Sequence, residues 1–360
     1  MSFALLFCAI LFQNNNYMGV FMSQVTIKKI AEDLGLSRNT VSMAFNGDPK
    51  VAAETRQKII SYALSVGYTK LSSQAEASAN PERPLRILVL RRADQTAYWD
   101  RIINGISEEA VLHNCMVNIS TVTEENIAFR QLPTGYTSSI DACIFLHKFG
   151  EDYNRMLLGS DKIGIFLDCM DFTQRDAVLG DVIKSEGRRS IMQLTLSLIN
   201  QGYRKIGFMC PYYINAETFY DRYEGFCAAM KLSNLPVLPE YVITSSPYMD
   251  KSISFQAALD SYPDIPEAIV CANDDSAFRI SSLLMERGLK IPDDVAITGF
   301  DNDEFDAFSP FFTTVDCNAF ILGHRMVQQL IWRMNHPDAP FETITISSTP
   351  IYRRSSQKGR

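Results

Sequence analysis

At 360 residues, with 46% hydrophobic and 21% charged positions, the chain is long enough for a small domain beside a larger two-lobed one, and its composition is neither that of a disordered chain nor that of a membrane protein. The net charge of −7 excludes a protein that coats nucleic acid over its whole surface. The balance is uneven, however: between Met22 and Ser72 seven basic residues stand against four acidic ones, so a basic excess is concentrated there.

Residues 1–21 carry no charge. The apolar run from Phe3 to Phe12 falls short of the roughly 20 residues that span a bilayer, and no Lys or Arg precedes it as a secretory signal requires. A non-structural or mis-assigned extension is expected, with Met22 as the start. Residues 22–68 form the next unit. Thr26 is placed to cap a helix through Leu34, Gly35 to turn the chain, and Ser37 to cap a second helix through Phe45, which Asn46 and Gly47 end. Two helices joined by a tight glycine turn are a helix-turn-helix. A third helix over Ala53 to Val66 offers Ile59, Ile60, Ala63 and Leu64 for packing. Residues 69–84, rich in Ser, Ala, Asn and Pro with Leu71 as the single large apolar side chain, are expected to be a linker.

From Leu85 to the end, short apolar runs at 86–90, 142–146, 162–167, 205–209, 268–272 and 295–300 alternate with helical patterns at 98–112, 185–200, 217–232, 274–287 and 319–335. Such alternation predicts doubly wound parallel sheets, and ten or so strands suit two lobes better than one sheet. The eight cysteines form no CxxC pair and the four histidines no ligand spacing, a pattern of free thiols in a reducing, cytoplasmic setting. No nucleophile elbow, phosphate loop or dinucleotide fingerprint is present in the sequence, so neither an enzyme nor a cofactor or metal is expected.

The segment from Val25 to Tyr68, with its S-x-x-T-V-S core of Ser37, Thr40, Val41 and Ser42, resembles the DNA-binding domain of the lactose-repressor family. The resemblance continues through Gly202 to Ile206, Arg222 with Gly225 and Phe226, Ala272-Asn273-Asp274, Gly288 with Ile291 to Asp294, Gly299-Phe300-Asp301, and Thr313-Thr314-Val315. So many short matches in one order are specific. Three positions depart. Lys29 stands where an acidic residue is common. Ala52 stands where a Ser cap is common, a change of about 0.5 to 2 kcal/mol in helix stability. Ala77 stands where the lactose repressor has a leucine that wedges into the minor groove.

The resemblance implies a helix-turn-helix head followed by a two-lobed α/β domain of the periplasmic-binding-protein type, acting as a homodimeric repressor on a palindromic operator under control of a small molecule. The second helix offers Arg38, Asn39, Ser42 and Met43 on the side away from Val41 and Ala44; Arg and Asn suit bidentate reading of guanine and adenine. Lys28, Thr40, Lys50 and Arg56 fit phosphate contacts, with solvated surface charge as the plainer alternative. In the larger domain, Trp99 is expected to stack on the effector, and Asp168, Arg222, Asn273 and Asp301 match family positions that hydrogen-bond it. This mixture of aromatic face, donors and acceptors suits a sugar or sugar derivative, in a cleft expected to be open. A structural Arg222–Asp301 ion pair across the cleft, and a helix cap for Asp274, are the alternatives for those residues. The rival function is a solute-binding protein, which leaves the helix-turn-helix unexplained.

Overall fold

The computed structural model describes residues 26–45, 51, 55, 58, 59, 62, 83–93, 96–147, 149–168, 179–213, 217–245, 254–303 and 311–357. The chain divides into two compact units, Met1–Arg83 and Pro84–Arg360. Among the described residues no helix is long and apolar enough to cross a membrane.

In the first unit α1 (Ile27–Leu34) and α2 (Arg38–Phe45) are a helix-turn-helix pair. The Thr26 hydroxyl accepts from the Lys29 N–H at 3.3 Å, and Gly35 closes α1 at φ 66°, a left-handed conformation that glycine adopts without a Cβ clash. The Ser37 hydroxyl accepts from the Thr40 N–H at 3.0 Å and so caps α2. Ile30, Ala31, Val41, Ala44, Val51 and Ile59 make the core of this unit. Of the third helix, Thr55, Lys58, Ile59 and Tyr62 are described and helical; Ile60, Ala63, Leu64, Lys50, Ala52, Arg56, Ala77 and the whole of 69–82 lie outside the described residues. Lys29 pairs with Asp33 at 2.7 Å, and the Tyr62 hydroxyl donates to the same carboxylate at 2.9 Å, which ties the third helical segment to α1.

The second unit runs β1 (Leu85–Arg91), α3 (Ala97–Leu112), β2 (Cys115–Thr121), α4 (Glu124–Ala128), β3 (Ala142–Phe145), α5 (Glu151–Leu158), β4 (Ile163–Leu167), β5 (Asp181–Ser185), α6 (Arg188–Asn200), β6 (Ile206–Tyr213), α7 (Glu217–Leu232), β7 (Val242–Ser245), α8 (Phe255–Asp260), β8 (Ala268–Cys271), α9 (Asp274–Glu286), β9 (Ala296–Thr298), β10 (Thr314–Asp316), α10 (Ala319–Asn335), β11 (Thr343–Ile346) and β12 (Thr349–Ile351). Three sheets result: a parallel six-stranded one in the order β11-β5-β4-β3-β1-β2, a parallel four-stranded one in the order β7-β6-β8-β9, and an antiparallel pair β10–β12. β3 and β8 are buried at every position, as strands covered by helices on both faces must be. The two larger sheets are the two lobes.

Two features stiffen the first lobe. Helices α3 and α10 cross with backbone against backbone: a Cβ on Gly105 would lie 2.1 Å from the Phe320 carbonyl oxygen, and one on Gly323 would lie 2.1 Å from that of Ile102. Beside this crossing, the fully buried Asp181 of β5 receives Arg333 of α10 through Nη2 at 2.6 Å and Nε at 2.9 Å. The six described cysteines, Cys115, Cys143, Cys210, Cys227, Cys271 and Cys317, are free thiols.

Candidate effector site

A doubly wound sheet opens a crevice at the carboxyl ends of its strands where successive connections leave in opposite directions. In the first lobe that point is β1, which has β2 on one side and β3 on the other; in the second it is β6, flanked by β7 and β8. A cavity of about 210 Å³ lies there. Thr96, Tyr98 and Trp99 reach it from the start of α3, His147 from the end of β3 and Asp168 from the end of β4. From the other lobe come Phe219 and Arg222 of α7, Asn273 and Asp275 after β8, and Asp301 and Asp303 after β9. Trp99, Asp168, Arg222, Asn273 and Asp301 therefore line one cavity, although 202 residues separate the first from the last.

Arg222 is 4% exposed and held on several sides. Its guanidinium carbon lies 3.7 Å from the centre of the Phe300 ring, Nη1 donates to the Ala272 carbonyl at 2.7 Å, and Nη2 faces Asp301 Oδ1 at 3.6 Å. The ion pair lies within the second lobe, not across the cleft, because α7 and the end of β9 both belong to that sheet's layer. Asp168 and Asp301 both have positive φ, 45° and 107°, conformations that cost a non-glycine residue about 1 to 3 kcal/mol and that cluster at functional sites. The surrounding sheets impose them: the Asp168 N–H donates to the Ile183 carbonyl at 3.1 Å and the Asp301 N–H to the Val315 carbonyl at 3.0 Å.

Burial pushes both carboxyls up to about 7, against the pull of the Arg222 guanidinium. A carboxyl whose folded value exceeds its ordinary 3.8 binds more protons in the native state than in the unfolded one across the interval between. Stability of this unit should therefore fall as pH rises from about 4 to 7. Thermal unfolding across that range, in wild type and in Asp168→Asn, checks it: the slope should be shallower in the variant, and an equal slope would place the titration elsewhere.

Asn273, not Asp274, caps α9: its Oδ1 accepts from the Ser276 N–H at 3.0 Å and hydroxyl at 2.7 Å. The amide oxygen is thereby spent, leaving Asn273 its NH2 for the cavity. Asp274 is fully buried, accepting from the Thr314 hydroxyl at 2.8 Å and the Asp303 N–H at 2.9 Å, so it braces the loop that carries Asp301 and Asp303. Trp99 packs beside His147 with ring centroids 4.2 Å apart, which leaves it half-buried at the cavity wall. The cleft is bridged rather than open: Arg101 of α3 donates across the lobes through Nη2 to the Asp301 carbonyl at 2.7 Å and to Asp303 Oδ1 at 2.8 Å. Sequence reasoning missed Arg101, Asp303, His147 and Phe219; the only local signal was the proximity of Arg101 to Trp99 and of Asp303 to Asp301.

In the first unit Arg38 and Asn39 are exposed at the start of α2, and Ser42 is half-buried. Met43 departs from the expected outward face: it is half-buried and packs on the core, because the ~100° step of a helix puts it beside Ala44. Thr40 shares its hydroxyl with Ser37 at 2.8 Å, and exposed Lys28 stands 3.8 Å from Glu32.

Residues 195–356 match the periplasmic binding protein-like domain family. The whole chain is similar to the HTH-type transcriptional repressor PurR of Mannheimia succiniciproducens, with 26% identity over 92% of this chain and 99% of that protein. The same-named repressor of Vibrio vulnificus is also 26% identical, over 81% of this chain and 86% of its own. Both the head and the two-lobed unit are thus matched in one alignment. Over nearly its full length the chain is thus similar to transcriptional repressors, and residues 195–356 carry the periplasmic binding protein-like domain. Solved structures agree on the fold: the transcriptional regulator CelR in complex with cellobiose superposes with a TM-score of 0.60 at 18% identity, covering 92% of this chain and 99% of that one. A LacI family regulator from Enterococcus faecium with bound ribose gives 0.62 at 20% identity, over 75% and 98%.

Proposed function

We propose that this protein is a transcription regulator of the lactose-repressor family, a cytoplasmic homodimeric repressor that binds a palindromic operator through α2 and is controlled by a sugar or sugar derivative seated among Trp99, Asp168, Arg222, Asn273 and Asp301. The observation that carries the reading is the convergence of these five side chains, from both lobes, on one cavity at the switch points of two sheets. An aromatic face, a planar donor fork, two carboxyls and an amide suit a hydroxylated ring. Relatives named as repressors, and a likeness in fold to regulators solved with cellobiose and with ribose, support it. A nucleobase is the second reading, favoured by the half-buried Trp99 ring, on which any flat heterocycle can stack.

In the head, Arg38 and Asn39 stand exposed in the first turn of α2, the part of a recognition helix that meets base edges, which supports base reading, and exposed Lys28 on α1 is assigned to phosphate. Arg38→Ala should relax preference at one base pair per half-site by ~1 to 3 kcal/mol, whereas Lys28→Ala should weaken all sequences alike and lower the salt slope by ~1. Selection of bound sequences from a random pool, with titrations at several salt concentrations, tests the assignment. An unchanged preference in Arg38→Ala together with an altered one in Lys28→Ala would reverse the two roles.

A further inference from the structure

The two lobes are pinned together by charge at two places, one on each side of the cavity. On one side Arg101, near the start of α3, crosses from the first lobe to the segment after β9, where Nη2 donates to the Asp301 carbonyl at 2.7 Å and to Asp303 Oδ1 at 2.8 Å. Asp303 is buried, also accepts from the Thr96 hydroxyl just ahead of α3, and is held from behind by its own N–H on Asp274 at 2.9 Å. On the other side Lys184 of β5 reaches α7, where its ammonium is bound to Glu217 and, at 3.2 Å, to Asp221. The Lys184 side chain is 14% exposed, so this pair too is shielded from solvent.

The order of the first sheet sets the two clamps apart. Its strands run β5-β4-β3-β1, so the carboxyl ends of β5 and β1 are three spacings from each other, roughly 14 Å. Asp168 after β4 and His147 at the end of β3 face the cavity between them. Each clamp sets a cation of the first lobe against carboxylates of the second, and separating the lobes at the cavity parts both pairs. Partly buried pairs of this kind are screened less by salt than surface pairs. If Lys184 is withdrawn, Glu217 and Asp221, four apart on α7, are left as like charges on one helix face. Neither Arg101 nor Lys184 is among the described residues that line the cavity, so a change at either alters access without removing a lining side chain.

We propose that Arg101 and Lys184 form a two-point charge latch that holds the lobes closed over the cavity, which opens to solvent only when both pairs part. The latch acts on whatever the cavity takes and does not depend on the effector being a sugar.

The chain carries its own reporters. Of its two tryptophans, Trp99 stands at the cavity wall, while Trp332 on α10 stacks on His336 and does not line the cavity. In a Trp332→Phe background, quenching of the full-length chain by acrylamide reads access to Trp99; in a Trp99→Phe background it reads Trp332. Arg101→Gln and Lys184→Gln should each raise the quenching constant of Trp99 about twofold or more as the open population grows, and the two together further, while that of Trp332 stays at its wild-type value. Arg101→Lys, which keeps the charge and loses the planar fork, should fall between wild type and Arg101→Gln. Should either substitution prevent folding, the carboxylate side of the same clamp is removed instead, by Asp303→Asn or by Glu217→Gln with Asp221→Asn, and the same readout applies. Unchanged quenching of Trp99 in both variants overturns the latch. So does an equal rise at Trp99 and Trp332, which reports general loosening, and a rise in only one of the two variants overturns its two-point form.

Discussion

Replacing Arg222 with alanine should erase the effect of ligand on operator binding while leaving operator affinity in the absence of ligand near wild type. The arginine lies in the second unit, far along the chain from α2, and its contacts, to Phe300, the Ala272 carbonyl and Asp301, are all in the lobe that also presents Asn273 and Asp303 to the cavity. Its removal takes away the ligand's planar donor and leaves the buried Asp301 without its nearest carboxylate-facing cation, with Arg101, which donates to the Asp301 carbonyl, still nearby. Breaking a buried pair from one side costs ~3 to 5 kcal/mol, less where the abandoned group can protonate. Asp301, already pushed up to about 7, is such a group, so the loss of stability should be smaller at pH 6 than at pH 8. Arg222→Lys should also fail to respond, since an ammonium cannot both stack on Phe300 and present a fork. Operator titrations with and without a ligand found by thermal screening test this. A variant that responds at wild-type ligand concentrations reduces the Arg222–Asp301 pair to a structural role.

Arg333→Ala should lower the unfolding free energy of the second unit by ~3 to 5 kcal/mol, the cost of orphaning a buried carboxylate. Asp181 is fully buried and takes four donors: Arg333 Nη2 at 2.6 Å and the Glu342 N–H at 2.7 Å on Oδ1, Arg333 Nε and Gln329 Nε2 each at 2.9 Å on Oδ2. Burial pushes this carboxyl up, but the donors together outweigh it and hold the group below its ordinary 3.8. The sign follows: its contribution is complete above the ordinary value and is lost as pH falls through the depressed one, so neutral pH measures the full effect. Urea unfolding of wild type and Arg333→Ala at neutral pH is the measurement. A difference below about 1 kcal/mol, the scale of a surface pair, would mean that water reaches Asp181.

Legibility in the sequence followed how local each determinant is. The caps at Thr26 and Ser37, the Gly35 turn and the strands of the central sheet positions are written in neighbouring residues, and the structure has them at those places. β2 and β11 were not read because they are edge strands whose partly exposed residues lack a continuous apolar run. β5 was missed for another reason: Asp181, Lys184 and Ser185 look like loop residues until their distant partners are known, and Arg333 lies 152 positions away. The antiparallel β10–β12 pair, three residues per strand, is set by tertiary pairing alone. At the cavity, the five residues named from the sequence came from family motifs. Arg101 and Asp303 belong to no such motif and meet across 202 positions, so no pattern within a window could join them.

The close crossing of α3 on α10 at Gly105 and Gly323 bears on how the two ends of α3 are joined. α3 begins at the cavity with Trp99 and Arg101 and runs for 16 residues, about 24 Å at 1.5 Å per residue, to Val111 and Leu112, which are 76% and 62% exposed on the opposite side of the lobe. At its middle the helix is pressed backbone to backbone on α10, too closely for either rod to slide or bow past the other. Such a rod is a lever without play. The helix thus joins the cavity wall at Trp99 rigidly to the exposed apolar pair Val111 and Leu112.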